Sequence, residues 1–302
     1  MTSSPMTLLT YWPNDLLITF VKNKANKAMF TFNCKGRMLV IDKPVVMGII
    51  NATPDSFYSG SRRQGVDEVL RQAEKMINEG AAIIDIGGQS TRPGSEHIGI
   101  DEELSRVIPA IEAICQRFPE SFVSVDTYYS KVAAEAVSAG ASIVNDISSG
   151  MLDEQMIPVV ASLHVPYIAM HMKGTPATMQ QHANYENVTL EVLDFFIKKT
   201  EECRKAGIHD VIVDAGFGFA KTIAHNFTLL KNLLILKMLE KPLLAGLSRK
   251  ATVYKTLGIT PEEALNGTTV LNTIALLDGA DILRVHDVKE AMEAVALVGK
   301  MK

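Results

Sequence analysis

The chain has 302 residues, of which 34 are acidic and 30 are Lys or Arg, giving a formal net charge of −4, with 47% hydrophobic and 21% charged residues. This balance excludes a disordered chain, which is poorer in apolar residues, and a nucleic-acid binder that relies on a basic surface. At about 150 residues per domain the length suggests two domains, but α/β barrels of about 250 residues count as one, so the pattern of elements decides.

Residues 1–28 show no clear periodicity and read as an N-terminal extension or an upstream start, disordered ahead of a native beginning at Met29. Their apolar stretches are broken by Trp12-Pro13-Asn14-Asp15 and form no signal-peptide core. Residues 30–34 and 37–41 are short apolar runs around Lys35-Gly36, the pattern of a β-hairpin, expected to close the bottom of the main domain. From there the chain repeats one unit. Apolar runs fall at 45–50, 81–86, 122–125, 142–147, 165–170, 211–213, 243–247 and 281–285. Runs apolar on both faces suit buried parallel strands.

Helical segments lie between them. Val66, Val69, Leu70, Ala73 and Ile77 fall at helical spacing before Gly80, and Leu104, Val107, Ile108 and Ile111 repeat the pattern around Pro109, which is expected to kink that helix. Ser130 is the expected cap of a helix ending at Gly140, and Asn226 that of a helix through Leu239. The densest apolar region, 229–247, is interrupted by Lys231, Lys237, Glu240 and Lys241, too many charges for a membrane span. Thr260-Pro261-Glu262-Glu263 combines a cap, a first-turn proline and a capping-box glutamate, and Asp287 with Glu290 offers a second box. Cys34, Cys115 and Cys203, odd in number and far apart, make neither a disulfide framework nor a zinc pattern. A reducing, cytoplasmic setting is the expectation.

Eight such units over 29–302 predict a single (β/α)8 barrel. A doubly wound sheet is the competing arrangement, but the first strand is followed by NATPDSF at 51–57 and not by a glycine-rich dinucleotide turn. In a barrel the chemistry lies where strands end. Here the strand ends carry Asn51, Asp85, Asp126, Asn145-Asp146, His171, Asp214, Ser248-Arg249-Lys250 and Arg284-Val285-His286. Any one of these is as readily a turn or cap residue. Together they line one rim. Arg284, His286, Lys250 and Arg92 suit a phosphate or pyrophosphate. Asp126, Asn145 and Asp214 suit a flat heterocycle rich in N–H donors, and Asn51 offers an oxygen to a hard cation such as Mg²⁺. Group transfer with a pyrophosphate leaving group uses all of these pieces.

The longer motifs are MGIINATPDSF (47–57), DIGGQSTRPG (85–94), SVDT (124–127), NDISSG (145–150), MHMKGTPATMQ (170–180), DAGFGFAKT (214–222), SRK (248–250) and RVHDV (284–288). In kind and order they resemble the dihydropteroate synthase family, the folate-pathway enzymes targeted by sulfonamides. The resemblance implies joining 6-hydroxymethyl-7,8-dihydropterin pyrophosphate to p-aminobenzoate. It places Asp126, Asn145, Asp214 and Lys250 at the pterin, with Met170 and Phe219 lining that pocket. It has Arg284 stack on the pterin and, with His286 and Asn51, hold the pyrophosphate, Asn51 being the Mg²⁺ ligand. Loops 53–59 and 90–94 correspond to two closing loops, ordered by Asp55 and Arg92, while Thr91, Pro93, Ser248 and Lys250 neighbour p-aminobenzoate. The catalytic group so implied is Asn51, Asp126, Lys250, Arg284 and His286, in a homodimer formed through late barrel helices.

Three positions depart from the family pattern. Gln89 stands for a glutamate, and Ala215 and Ala220 stand for proline and glycine, so Ala220 is expected to keep a negative φ. Two alternatives share the barrel: a methyl-folate:corrinoid methyltransferase, which does not need Asn51, Arg284 and His286, and a non-catalytic pterin-binding paralogue, which should have lost rim cations.

Overall fold

The computed structural model describes residues 29–52, 62–89 and 98–301; the expectations for residues 1–28, Asp55, Thr91, Arg92 and Pro93 lie outside the described residues. The described chain opens with a hairpin, β1 (Phe30–Cys34) and β2 (Arg37–Ile41). Its two-residue turn puts Lys35 and Gly36 both at positive φ, the twist that matches paired strands. Eight parallel strands then close into a barrel: β3 (Val45–Asn51), β4 (Ile83–Gly87), β5 (Phe122–Asp126), β6 (Ile143–Asp146), β7 (Tyr167–Met170), β8 (Val211–Asp214), β9 (Leu243–Ala245) and β10 (Ile282–Val285). Each pairs with its neighbours in sequence, and β10 pairs with β3 to complete the ring. The fold is the (β/α)8 barrel.

Helices cover the outside: α1 (Arg62–Asn78), α2 (Ile100–Arg117), α3 (Ser130–Ser138), α4 (Met156–Leu163), α5 (Val188–Ala206), α6 (Ile223–Lys231), α7 (Ala251–Leu257), α8 (Leu265–Leu277) and α9 (Val288–Gly299). Their apolar stripes and the outward strand residues form the larger core, exemplified by Val46, Ile84, Ile86, Val107, Val125, Phe196 and Leu283. A second core fills the lower barrel. Met47, Ile83, Ile143, Ile168, Ile212, Leu244 and Ile282 meet there, and Phe32, Cys34, Leu39 and Ile41 of the hairpin plug them from below. The hairpin is tied down by Arg37, which donates to the carbonyls of Pro119 and Ser121, and by Lys35, which donates to that of Val137. It closes the bottom, as its sequence implies.

Several local expectations need correction. That Pro109 lies inside α2 is not one of them. α3 begins at Ser130, so Ser130 does not cap it; the Ser130 N–H is met instead by Asp153 Oδ2 at 2.7 Å. Thr222, not Asn226, caps α6 in a reciprocal box with His225, and residues 233–239 continue as a separate 3₁₀ segment. Glu263 Oε2 does accept from the Thr260 N–H at 2.9 Å, but α8 starts only at Leu265. Asp287 precedes α9 without capping it, because its carboxylate is held bidentate by Arg249. Ala220 is left-handed with φ +49°. The expected negative φ is wrong, and the position carries strain that a glycine would relieve.

Candidate active site

Strand alternation builds the site. Side chains two residues apart share a face, so the parity that sends Ile83, Ile143, Ile168, Ile212 and Ile282 into the lower barrel sends Asp85, Asn145, Met170, Asp214 and Arg284 inward one layer higher. Phe122 packs against the lower layer, so the same count points Ser124 and then Asp126 inward along β5.

Arg284 sits at the centre of this layer. Its Nε donates to Asp85 Oδ2 at 2.7 Å and its Nη2 to Asp126 Oδ2 at 2.5 Å. Asn145 Nδ2 donates to the same Asp85 oxygen at 3.1 Å. Asp85 is fully buried, while Arg284 and Asp126 keep a small opening toward the mouth. Burial pushes the Asp126 carboxyl up to about 7 against the pull of Arg284, with Asp85, Asp146 and Asp214 adding to the rise. Burial works to lower the Arg284 guanidinium, but Asp85 and Asp126 outweigh it and the group stays charged. Two buried acceptors of this layer, Asp85 Oδ1 and Ser124 Oγ, lie on residues in register and have no hydrogen-bond partner among the described residues. Such atoms await a donor.

Asp214 and Lys250 form the second group. Asp214, pushed up by burial, accepts from the Gly216 N–H at 2.8 Å. Lys250 Nζ donates to the Phe217 carbonyl at 2.6 Å and lies 5.0 Å from the centre of the Phe219 ring, a cation–π contact. Burial brings Lys250 down to about 8, opposed by Asp214. Phe219 and Met170 belong to an apolar patch at the mouth with Tyr128, Ile147, Met172 and Met179. Beneath it the buried Lys221 Nζ reaches His171 Nδ1 at 2.9 Å and the carbonyls of Gly216, Phe219 and His171 at 3.0 to 3.3 Å. Gly216 is required here, because a Cβ would collide with the His171 carbonyl oxygen and φ is +70°.

The third group follows β9 and β10. His286 N–H donates to Ser248 Oγ at 3.2 Å, and the same hydroxyl lies 2.9 Å from His286 Nδ1. The Ser248 hydroxyl thus holds the Nδ1 edge of the His286 ring and fixes its orientation. Asn51, the last residue of β3, is exposed on the adjacent rim, opposite Gly87 in register. Arg249 is turned away. It clamps Asp287 and donates to the carbonyls of Pro261 and Glu262, so it braces the segment before α8. Among the described residues no group of three or more His, Cys, Asp or Glu could hold a metal ion.

Residues 47–286 match the family described as pterin binding enzyme. The chain is 43% identical over 266 residues to the dihydropteroate synthase of Escherichia coli (strain K12), an alignment covering 87% of this chain and 94% of that one. The chain belongs to the dihydropteroate synthase family. Two solved structures show the same architecture. The dihydropteroate synthase of Yersinia pestis, solved with a sulfonamide drug complex, is 40% identical with a TM-score of 0.84, covering 90% of this chain and 99% of that one. That of Xanthomonas albilineans, solved with 4-aminobenzoic acid, is 37% identical, also with a TM-score of 0.84, covering 91% and 98%.

Within this dihydropteroate synthase fold, Asn51, Asp126, Asn145, Met170, Asp214, Phe219, Ser248, Lys250, Arg284 and His286 all stand at the barrel mouth, in the three groups described. Asp55, Thr91, Arg92 and Pro93 lie outside the described residues. Two members of the site carry no assigned role in the sequence, Asp85, counted only among the strand ends, and Lys221. Asp85 is legible, standing two positions after the inward Ile83. Lys221 is not, because nothing in a GFGFAK run tells which side chain folds under it. Gln89, the uncharged departure from the family pattern, donates to the Tyr128 hydroxyl at 2.7 Å and so retains a link to the apolar patch.

Proposed function

We propose that this chain condenses 6-hydroxymethyl-7,8-dihydropterin pyrophosphate with p-aminobenzoate, releasing pyrophosphate and forming 7,8-dihydropteroate. The observation that carries the reading is the layer of acceptors at the mouth, the buried Asp85, Ser124, Asn145 and Asp214 with the partly open Asp126, set beside Arg284 and Lys250. A pterin presents N–H donors along its edge and meets that layer where Asp85 Oδ1 and Ser124 Oγ lack partners among the described residues. Phe219 and Met170 supply flat apolar contact.

The C–O bond at the pterin methylene breaks with its electron pair leaving on pyrophosphate. The resulting cation is delocalised into the ring, where the carboxylates of Asp126 and Asp214 favour it by fixed electrostatics. Arg284 and the His286 ring face the leaving group from the end of β10. The arylamine nitrogen then attacks the methylene carbon with its free lone pair and loses one proton, so no strong protein base is needed. A single carboxamide oxygen from Asn51 fits Mg²⁺ only as an ion brought and mostly coordinated by pyrophosphate and water, the habit of this cation. Bound so, it supplies neutralising charge to the departing oxygens.

Two further readings accompany this one. Val270, Ile274 and Leu277 on α8, with Leu297 on α9 and Met301 beyond it, leave apolar side chains exposed on two packed helices, which supports a homodimer through that face. Sedimentation velocity tests it: Ile274→Glu is expected to shift a dimer to monomer. The three cysteines are free, and no helix of the described residues is long and apolar enough to cross a membrane. The free cysteines support a reducing, cytoplasmic setting. The deciding experiment for the reaction is an assay of purified protein with Mg²⁺ and the dihydropterin pyrophosphate. Dihydropteroate formation strictly dependent on p-aminobenzoate is expected. Pterin binding without turnover points instead to a non-catalytic binding module.

A further inference from the structure

We infer that Lys221 is a positioning residue for pterin recognition: its ammonium gathers the carbonyls of Gly216, Phe219 and His171 and thereby fixes the loop that aims Asp214, Lys250 and Phe219. The inference rests on the proposed reaction and goes beyond it, because Lys221 is sealed beneath the mouth and is not among the rim residues assigned to substrate.

The loop after β8 needs such a tie. Gly216, Gly218 and Ala220 are all left-handed, at +70°, +85° and +49°, and the alanine has no intrinsic preference for that region. Within six residues the backbone turns three times, which leaves carbonyls of Gly216 and Phe219 facing the interior and the Phe217 carbonyl facing Lys250. Buried carbonyls demand donors. The Lys221 amino group, brought down to about 7 by burial against the pull of Asp214, shares its protons among those of Gly216, Phe219 and, across from β7, His171, with His171 Nδ1 a fourth polar contact. The imidazole is held neutral, its proton affinity lowered by burial and then by Lys221 and Lys173, so the two nitrogens meet without a second positive charge on the ring. Asn226 from α6 and Gln180 add weaker support, Asn226 Oδ1 accepting from the Gly218 N–H at 2.8 Å and Gln180 Nε2 donating to the Gly218 carbonyl at 3.3 Å.

The substrate-facing groups inherit their places from this knot. Lys250 Nζ points where the Phe217 carbonyl directs it, the Phe219 ring lies against it, and Asp214 is oriented by the Gly216 N–H. Removing the amino group takes the side-chain donor from the carbonyls of Phe219 and His171 and leaves that of Gly216 with the Phe219 N–H alone. The expected response is a loop that rearranges and misplaces Lys250 and Phe219, while the Arg284–Asp85–Asp126 group, on other strands, keeps its geometry.

The test compares wild type with Lys221→Met. The readouts are calorimetric binding of 6-hydroxymethyl-7,8-dihydropterin pyrophosphate, and steady-state kinetics with p-aminobenzoate saturating. The expected result is at least a tenfold rise in Kd and in KM for the pterin substrate, with kcat lowered less than threefold. Values of Kd and KM within twofold of wild type in a folded variant overturn the inference. So does a loss confined to kcat, which marks a role in the chemical step. Should Lys221→Met fail to fold, His171→Leu and His171→Asn carry the test. The leucine variant, losing the Nδ1 acceptor, is expected to raise KM at least threefold, and the asparagine variant, keeping an acceptor, to stay nearer wild type. Equal behaviour of the two overturns the inference. A wild type that neither binds nor turns over the pterin overturns the proposed reaction itself, and is read before any variant.

Discussion

The lower and upper barrel interiors use one alternation for opposite ends. Below, Met47, Ile83, Ile143, Ile168, Ile212, Leu244 and Ile282 meet each other and the hairpin, and each fully buried aliphatic side chain contributes about 1.5–3 kcal/mol. Two residues further along four of these strands, the inward positions hold carboxylates, an amide and an arginine. There the desolvation of charge consumes most of what pairing returns. Carboxyls at Asp126 and Asp214 are raised by burial, and a lysine is brought down to about 8. The stable half lies where no ligand comes, so the strained half is free to be shaped for one.

Breaking the upper layer should cost most. Arg284→Ala is expected to lower kcat/KM by about 10²-fold or more, the order found when a transition-state donor is removed. It also leaves Asp85 as a buried carboxylate without its cation, a loss of about 3–5 kcal/mol that urea unfolding would register. Asp126→Ala should lose comparable activity, because the carboxylate set against the growing ring charge is gone. Near-normal turnover of either purified variant removes that residue from the reaction.

Breaking the lower layer should do the reverse. Ile212→Ala, wholly inside the plug, is expected to lower stability by about 2–5 kcal/mol. At a temperature where the variant remains folded, kcat/KM should stay within about threefold of wild type, since additivity holds for separated sites. A large kinetic effect would mean that the two layers are mechanically coupled.

The contrast sharpens with pH. Asp126 needs its charge and titrates at about 7, so kcat/KM should fall as pH drops through that value. Lys250 needs its proton and titrates at about 8, so a second decline is expected above it. A narrow bell between those limits is the signature, and a profile flat from pH 6 to 9 would refute it. The smallest effect belongs to Ala220→Gly. Relief of the left-handed backbone outweighs the added freedom of the unfolded chain by about 0.5–1 kcal/mol, a gain of a few degrees in Tm.

Much of the barrel is legible in the sequence for a physical reason. Parallel strands buried on both faces must be continuous apolar runs, so eight of them can be counted, and the polar residue ending each run marks the mouth. Helix caps are less legible, because they depend on rivals from elsewhere. Asp153 takes the N–H at Ser130, and Arg249 takes the carboxylate of Asp287. Arg249 itself lies between two site residues in sequence, yet faces Asp287, and only the turn with its φ of +54° reveals that. Lys221 is hidden for a related reason: its partners are backbone carbonyls, which every residue has and no sequence advertises.

Gly246 sits at an inward position just beyond β9, and its consequence concerns how the pocket is able to change over generations. A Cβ built there would lie 3.6 Å from Lys250 Nζ and 3.8 Å from Asp214 Oδ2, ordinary contact distances, whereas at Gly216 it would strike the His171 carbonyl. An alanine is therefore admissible at one glycine of the mouth and inadmissible at the other. A methyl at 246 would leave the ring of strands intact while drying the space between Lys250 and Asp214, strengthening their attraction to each other over any incoming ligand. Inherited variation in ligand preference thus has an open route through Gly246, and selection for altered inhibitor response should find it before any replacement of Gly216.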